Sequence, residues 1–260
     1  MNRNPAHRQL RTSLATLATF LLCASLSLGL WWNAWQEDRH AAQERFQFET
    51  REVQFAVQQR LLAYEHVLRG AVGLFAASPS VERDAWRSYV RNLHIEQNYP
   101  GIQGIGFAKW LTPAEREPLT RQVHAEGFPQ FALWPQGERD VYSTILYLEP
   151  FDWRNQRAFG YDMYSEPTRR AAMDHARDLG RPAVSGRVKL VQETSEGVQH
   201  GFLLYLPVYP QGQVPARLKE RRRQLQGFVY SPFRMNDLLR GILGPKAQSG
   251  IRLEIYDGLA

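Results

Sequence analysis

The chain has 260 residues, with 32 Lys and Arg against 26 Asp and Glu, a formal net charge of +6 and a pI of about 9.6. Its one cysteine, Cys23, excludes a disulfide framework within a single chain and leaves no thiol cluster for a metal. The segment after Trp35 is long enough for one large domain or two small ones.

From Thr12 to Trp35 the sequence TSLATLATFLLCASLSLGLWWNAW carries no charge across 24 residues, and roughly 20 suffice to span a bilayer. Arg3, Arg8 and Arg11 precede it, so the positive-inside rule makes residues 1–11 a cytoplasmic tail and 12–35 a transmembrane helix. Trp31, Trp32 and Trp35 form an interfacial belt on the far side. The run is longer than a signal-peptide core, and no small-x-small site follows it cleanly before the tryptophans, which favours a retained anchor over a cleaved leader. Leu21 and Leu22 are poor neighbours for lipoprotein processing at Cys23.

Residues 36–75 read as a stalk helix. Val53, Val57, Leu61, Tyr64, Leu68, Ala71 and Phe75 are spaced by four or three, close to a heptad stripe. A helix of that length reaches roughly 55–60 Å. One face would pack on the domain, and the upper end would pair with a second copy. A new helix starts after Ser78-Pro79-Ser80, with Ser80 as its cap, Glu82 and Asp84 in its first turn, and Val81, Ala85, Tyr89 and Leu93 on one side. IQGIGFAKW, after Tyr99-Pro100-Gly101, predicts a strand, and Thr112 caps a short helix opened by Pro113-Ala114-Glu115. The stretch 128–147 is mixed and carries only a weak strand signal.

In 160–209, Ser165 reads as an N-cap, with Glu166 and Pro167 in the first turn of a helix that Gly180 stops and Pro182 keeps from resuming. Ala172, Ala176 and Leu179 fall on one inward stripe, and Arg169 lies three residues before Ala172 on that face. A cation there needs an anion from the protein or from a ligand. Strands come next at about Ala183–Val191 and Gly201–Tyr209, joined by the polar turn QETSEGVQ. RLKERRR at Arg217–Arg223 reads as a solvated loop between strands; it lacks interleaved aromatics, so no nucleic-acid partner is expected. GFVYSP and IRLEIY are strands around a helix near Met235–Leu243. The order is α+β rather than alternating βαβ.

Chemistry of the catalytic kind is not signalled. The seven histidines are scattered, and none sits at metal-ligand spacing. No nucleophile elbow, phosphate loop or zinc-protease signature occurs. Glu149, Asp152 and Asp162 have no spacing that joins them as a pair. No catalytic residue, metal or cofactor is expected.

One block carries a resemblance. Tyr161-Asp162-Met163, then Gly180 to Ser185 after the helix, then the Gly-Phe-x-Leu-x-x-x-Val-Tyr run from Gly201 to Tyr209 resemble the CHASE domain, an extracytoplasmic sensory module of receptor kinases and nucleotide cyclases. The resemblance extends from about Gln59 to Asp257. It implies a stalk helix carrying two PAS-like antiparallel-sheet subdomains within 76–260, the distal one at about 76–210 with the ligand pocket and the proximal one at about 211–260 plus earlier strands. In hormone-binding members an acidic residue grips the ligand base; the matching position here is Arg169. Two threonines there correspond to Ser185 and Tyr205. The reversed charge at Arg169 argues against an adenine-type ligand. Arg169 with the hydroxyls of Ser185 and Tyr205 points to a ligand bearing a carboxylate or another anionic group. Asp162 and Val191 complete the expected ligand-binding set. Alternatively Arg169 pairs with Asp162 or Glu166, and Tyr205 fills core.

The expected function is a membrane-anchored ligand sensor, in a bacterial inner membrane with its domain in the periplasm, paired as a homodimer. CHASE modules sit between two spans, so a longer receptor with a cyclase, phosphodiesterase or histidine kinase output is expected. An anchored periplasmic hydrolase and a structural stalk without a ligand are the rivals.

Overall fold

A computed structural model describes residues 5–193 and 198–244, with side chains at 14 and from 16 onward. In chain order come α1 (Pro5–Ala77), α2 (Arg83–Asn92), α3 (Ile95–Asn98), β1 (Ile105–Leu111), α4 (Arg116–Ala125), β2 (Tyr142–Glu149), α5 (Trp153–Gln156), α6 (Pro167–Leu179), β3 (Ala183–Val184), β4 (Val188–Lys189), β5 (His200–Val208), α7 (Leu218–Gln224), β6 (Gly227–Arg234) and α8 (Met235–Leu243). The chain divides into two units, Met1–Phe55 and Ala56–Ala260, to both of which α1 contributes.

In the first unit α1 holds a stretch long and apolar enough, by length and composition, to cross a membrane. Its apolar side chains, among them Leu17, Phe20, Leu21 and Leu28, are exposed. Trp31 and Trp35 stack with ring centroids 6.1 Å apart, and the Arg39 guanidinium lies 4.3 Å from the Trp35 ring. Aromatic rings thus give way to charge at the end of the apolar run, the pattern of a membrane–water boundary. The expected tail at 1–11 begins outside the described residues.

In the second unit the end of α1 buries Tyr64, Val67, Leu68 and Ala71, with Leu61 and Phe75 partly covered. Leu61, Tyr64, Leu68, Ala71 and Phe75 belong to the stripe the spacing predicts, and Val67 is buried beside it. The next helix differs from its expectation. It begins at Arg83 with Glu82 as cap, while Ser80 Oγ donates to the Glu82 carboxylate. Trp86 and Val90, not Ala85, face inward. Trp86 is the larger apolar group, and burying it between Phe75 and Tyr147 (ring centroids 5.8 and 5.9 Å) outweighs burying an alanine. Thr112 behaves as expected: its N–H and hydroxyl both donate to Glu115, closing a capping box.

One antiparallel sheet runs β2-β1-β6-β5-β3, with β4 also paired to β5. It is covered on both faces. Alternate residues of β5, Phe202, Leu204, Leu206 and Val208, face α1 and α2, while Leu203, Tyr205 and Tyr209 face α6. The strand expected over Ala183–Val191 is instead two short pieces, because Ser185 turns its hydroxyl onto the chain: its Oγ donates to the Gly186 carbonyl and accepts from Leu203 N–H. RLKERRR is largely helical, as α7, not a loop. Arg221 donates to the carbonyls of Asp178, Pro215 and Ala216, and Arg222 pairs with Asp178, so these cations seat α7 at the C-terminal end of α6.

The boundary expected near 210 does not coincide with a break in the sheet, since β6 hydrogen-bonds between β1 and β5. IRLEIY lies outside the described residues, as does part of the turn QETSEGVQ.

Candidate functional site

Arg169 is a buried residue of α6, and Tyr205 and Val191 pack in the cluster beneath that helix; Asp162 lies between Tyr161 and Met163 of the same cluster in sequence, and Ser185 is hydrogen-bonded to the backbone of β5. Glu166, rather than Ser165, caps α6: its carboxylate accepts from the N–H groups of Thr168 and Arg169 at 3.0 and 2.9 Å. Ser165 sits in the 3-10 turn before it and donates to the Asp162 carbonyl. One carboxylate reaching two amides satisfies more of the helix end than one hydroxyl does. Burial works against the Glu166 charge, but the two amide bonds and the Arg169 guanidinium outweigh it and hold its carboxyl below the usual range.

Gly180, at φ 65, stops α6 in the left-handed conformation the sequence implies. The buried stripe is Ala172, Met173 and Ala176 together with Arg169 and Arg177; Leu179 is exposed. One helical turn past Met173 lies Arg177, whose guanidinium pairs with Asp174 and Asp178, so the inward face runs through Met173 and Arg177 and leaves Leu179 outside it.

Arg169 is 4 % exposed. One guanidinium nitrogen donates to Glu166 at 3.2 Å, the other to the Lys189 carbonyl at 2.8 Å, and the group lies 5.4 Å from the Tyr161 ring. Glu166 is thus its pairing acid, and Asp162 is not. Asp162, fully buried, accepts from the N–H groups of Ser143 and Tyr164, and its other oxygen lies 3.4 Å from Arg139 without a hydrogen bond. Burial pushes its carboxyl above the usual range, against those amides and the charges of Arg139 and Arg170. Desolvation therefore exceeds what its partners return.

Tyr205 is fully buried, and among the described residues its hydroxyl reaches only the Met163 sulfur at 3.3 Å, a weak acceptor. Burial drives its phenol well above the ordinary value. Val191 is half-buried against the same cluster as Tyr205, Tyr161 and Met163. Ser185, also buried, spends its hydroxyl on backbone. Chemically the cluster holds a buried cation paired with Glu166, a buried acid, and a buried phenol bonded only weakly to sulfur.

Tyr161 and Tyr230 belong to this cluster and Arg139 lies beside Asp162, and sequence reasoning does not single them out as site residues. For Tyr230 the only available signal is strand alternation in GFVYSP. Among the described residues no three His, Cys, Asp or Glu side chains gather as a metal set. A separate surface groove of about 740 Å³ is lined by Phe75, Phe107, Lys109, Gln122 and Tyr147, and none of the five expected residues borders it.

No curated protein matches the sequence. Among solved structures, the chain is similar to the ligand-binding domain of the Pseudomonas aeruginosa PAO1 amino acid chemoreceptor PctC in complex with GABA, at 13% identity and TM-score 0.45, over 75% of this chain and 64% of that one. It is also similar to an extracellular ligand-binding receptor from Desulfohalobium retbaense DSM5692, at 12% identity and TM-score 0.41, over 74% of this chain and 27% of that one. The chain thus spans less than two thirds of either. The CHASE domain profile matches residues 79–260, well over half of the sequence, so the chain belongs to the CHASE domain family, which are extracellular sensory domains.

Proposed function

We propose that the chain is the membrane-anchored, extracytoplasmic ligand-sensing module of a signal-transduction receptor. Residues 12–35 span the bilayer with 1–11 in the cytoplasm, and 36–75 form the stalk. The antiparallel sheet is the PAS-like part of this module. A second copy pairs along the stalk. Ligand binding passes a signal only by differing affinity for two stalk arrangements, read by a cyclase, phosphodiesterase or kinase output.

The ligand is a small organic anion held on the α6 face by Arg169, Tyr205, Ser185, Asp162 and Val191. One observation carries this: inside the CHASE-matched region, a nearly buried guanidinium shares its one carboxylate partner among the described residues with two backbone amides. That leaves Arg169 only partly neutralised, and an anion completes it.

The full chain in lipid nanodiscs, titrated with short organic acids by calorimetry, tests the reading. Arg169→Gln is expected to weaken the bound acid by about 1.5–3 kcal/mol, the range for a hydrogen bond to a charged group. Equal affinity in the variant, or no acid bound by the native chain, rejects it.

A further inference from the structure

Tyr205 and Tyr230 stand directly opposite each other on β5 and β6, and their row continues to Gly106 on β1 and Ala183 on β3. The Tyr230 ring lies over Gly106 so closely that a Cβ there would come within 2.5 Å of ring carbons and 2.6 Å of the hydroxyl. Glycine is what lets the phenol lie flat across the neighbouring strand. Tyr230 is fully buried, and among the described residues its hydroxyl has no hydrogen-bond partner. Tyr205, with its ring centroid 6.2 Å away, has only the Met163 sulfur.

Tyr230 therefore holds a donor that no described residue accepts, and its neighbour Tyr205 gives its own to a weak sulfur acceptor. A buried polar group without a partner is destabilising, and a native structure keeping one needs a reason. Above the row, α6 presents Ala172, Met173 and Ala176, all buried in the same cluster as the two tyrosines. The Arg169 charge acts on both phenols. A carboxylate answers this set: it is acceptor-only, with two oxygens and about four lone-pair sites.

We propose that Tyr230 is a specificity-determining residue that, with Tyr205, donates its hydroxyl to the carboxylate of a short-chain organic acid whose charge faces Arg169. This rests on the reading of the α6 face as the ligand site. It narrows the ligand to a small acid, because the two tyrosines and the Ala172, Met173 and Ala176 side chains of α6 are packed together in one buried cluster.

The test is Tyr230→Phe in the full chain in nanodiscs, with acetate, propionate, pyruvate and succinate as probes. The variant removes one oxygen that no described residue engages. Its ligand-free melting temperature is expected to equal or exceed the native one, while affinity for the best acid falls about tenfold or more. Tyr209→Phe is the control, since that hydroxyl donates to the Arg177 carbonyl at 2.8 Å; it is expected to lower the ligand-free melting temperature and leave affinity unchanged. If the native chain binds an acid and Tyr230→Phe binds it equally well, the role of Tyr230 is overturned and the site reading stands. If the native chain binds none of the four, both fall.

Discussion

Glu166 holds the start of α6 by two amide bonds and restrains Arg169 by a third contact. Glu166→Ala is expected to cost about 1 kcal/mol or somewhat more, the usual scale for losing an N-cap, read as a lower midpoint in urea unfolding with an unchanged slope. The position was legible in part. An acid in the first turn was visible, but a serine one residue earlier reads as the better cap until the 3-10 turn, which engages Ser165 elsewhere, is known. The inward face of Arg169 followed from helical period alone, and Glu166 was one of its two foreseen partners. Its bond to the Lys189 carbonyl was not legible, because a backbone oxygen twenty residues away leaves no mark in sequence. Nor does alternation, which puts Tyr230 on the α6 face, tell that its hydroxyl lacks an acceptor.

At the scale of elements, α6 and α7 are joined by charge. Asp178 accepts from Arg222 and Arg177, and the hydrogen bond from Arg222, opposed by burial and aided by Arg177, holds its carboxyl far below the usual range. Linkage sets the sign. A depressed folded value adds stability that is present above the unfolded value, about 3.9, and disappears as pH falls through the folded one. Asp178→Asn is therefore expected to lower stability at pH 7 and to flatten the acid limb of a stability–pH curve; since the pair is largely exposed, added salt shrinks the difference. An acid limb identical to the native one counts against this junction. RLKERRR looked like a loop because a run of cations repels itself. It forms a helix because Asp178 and the carbonyls of Asp178, Pro215 and Ala216 receive Arg221 and Arg222. The α1 stripe was readable from spacing, whereas α2 turned to bury Trp86, a choice made by neighbours distant in sequence.

Across the whole molecule, the α+β class, the apolar first helix and the family were legible, since each rests on long periodic runs or on the spaced motifs of 160–209. Strand order was not. β6 enters between β1 and β5 by pairing residues such as Gly106 with Tyr230, a contact over more than a hundred positions that no local pattern announces. That insertion is what places Tyr230 beside Tyr205 and joins all parts of the α6 face. Hydrogen exchange of the full chain in nanodiscs, with and without the organic acid panel, is the most direct test that this face is the sensing site. A bound acid is expected to slow amide exchange in α6 and in the pieces β3, β4 and β5 beneath it. Unchanged exchange there, or slowing confined to the groove lined by Phe75, Lys109 and Tyr147, would contradict it.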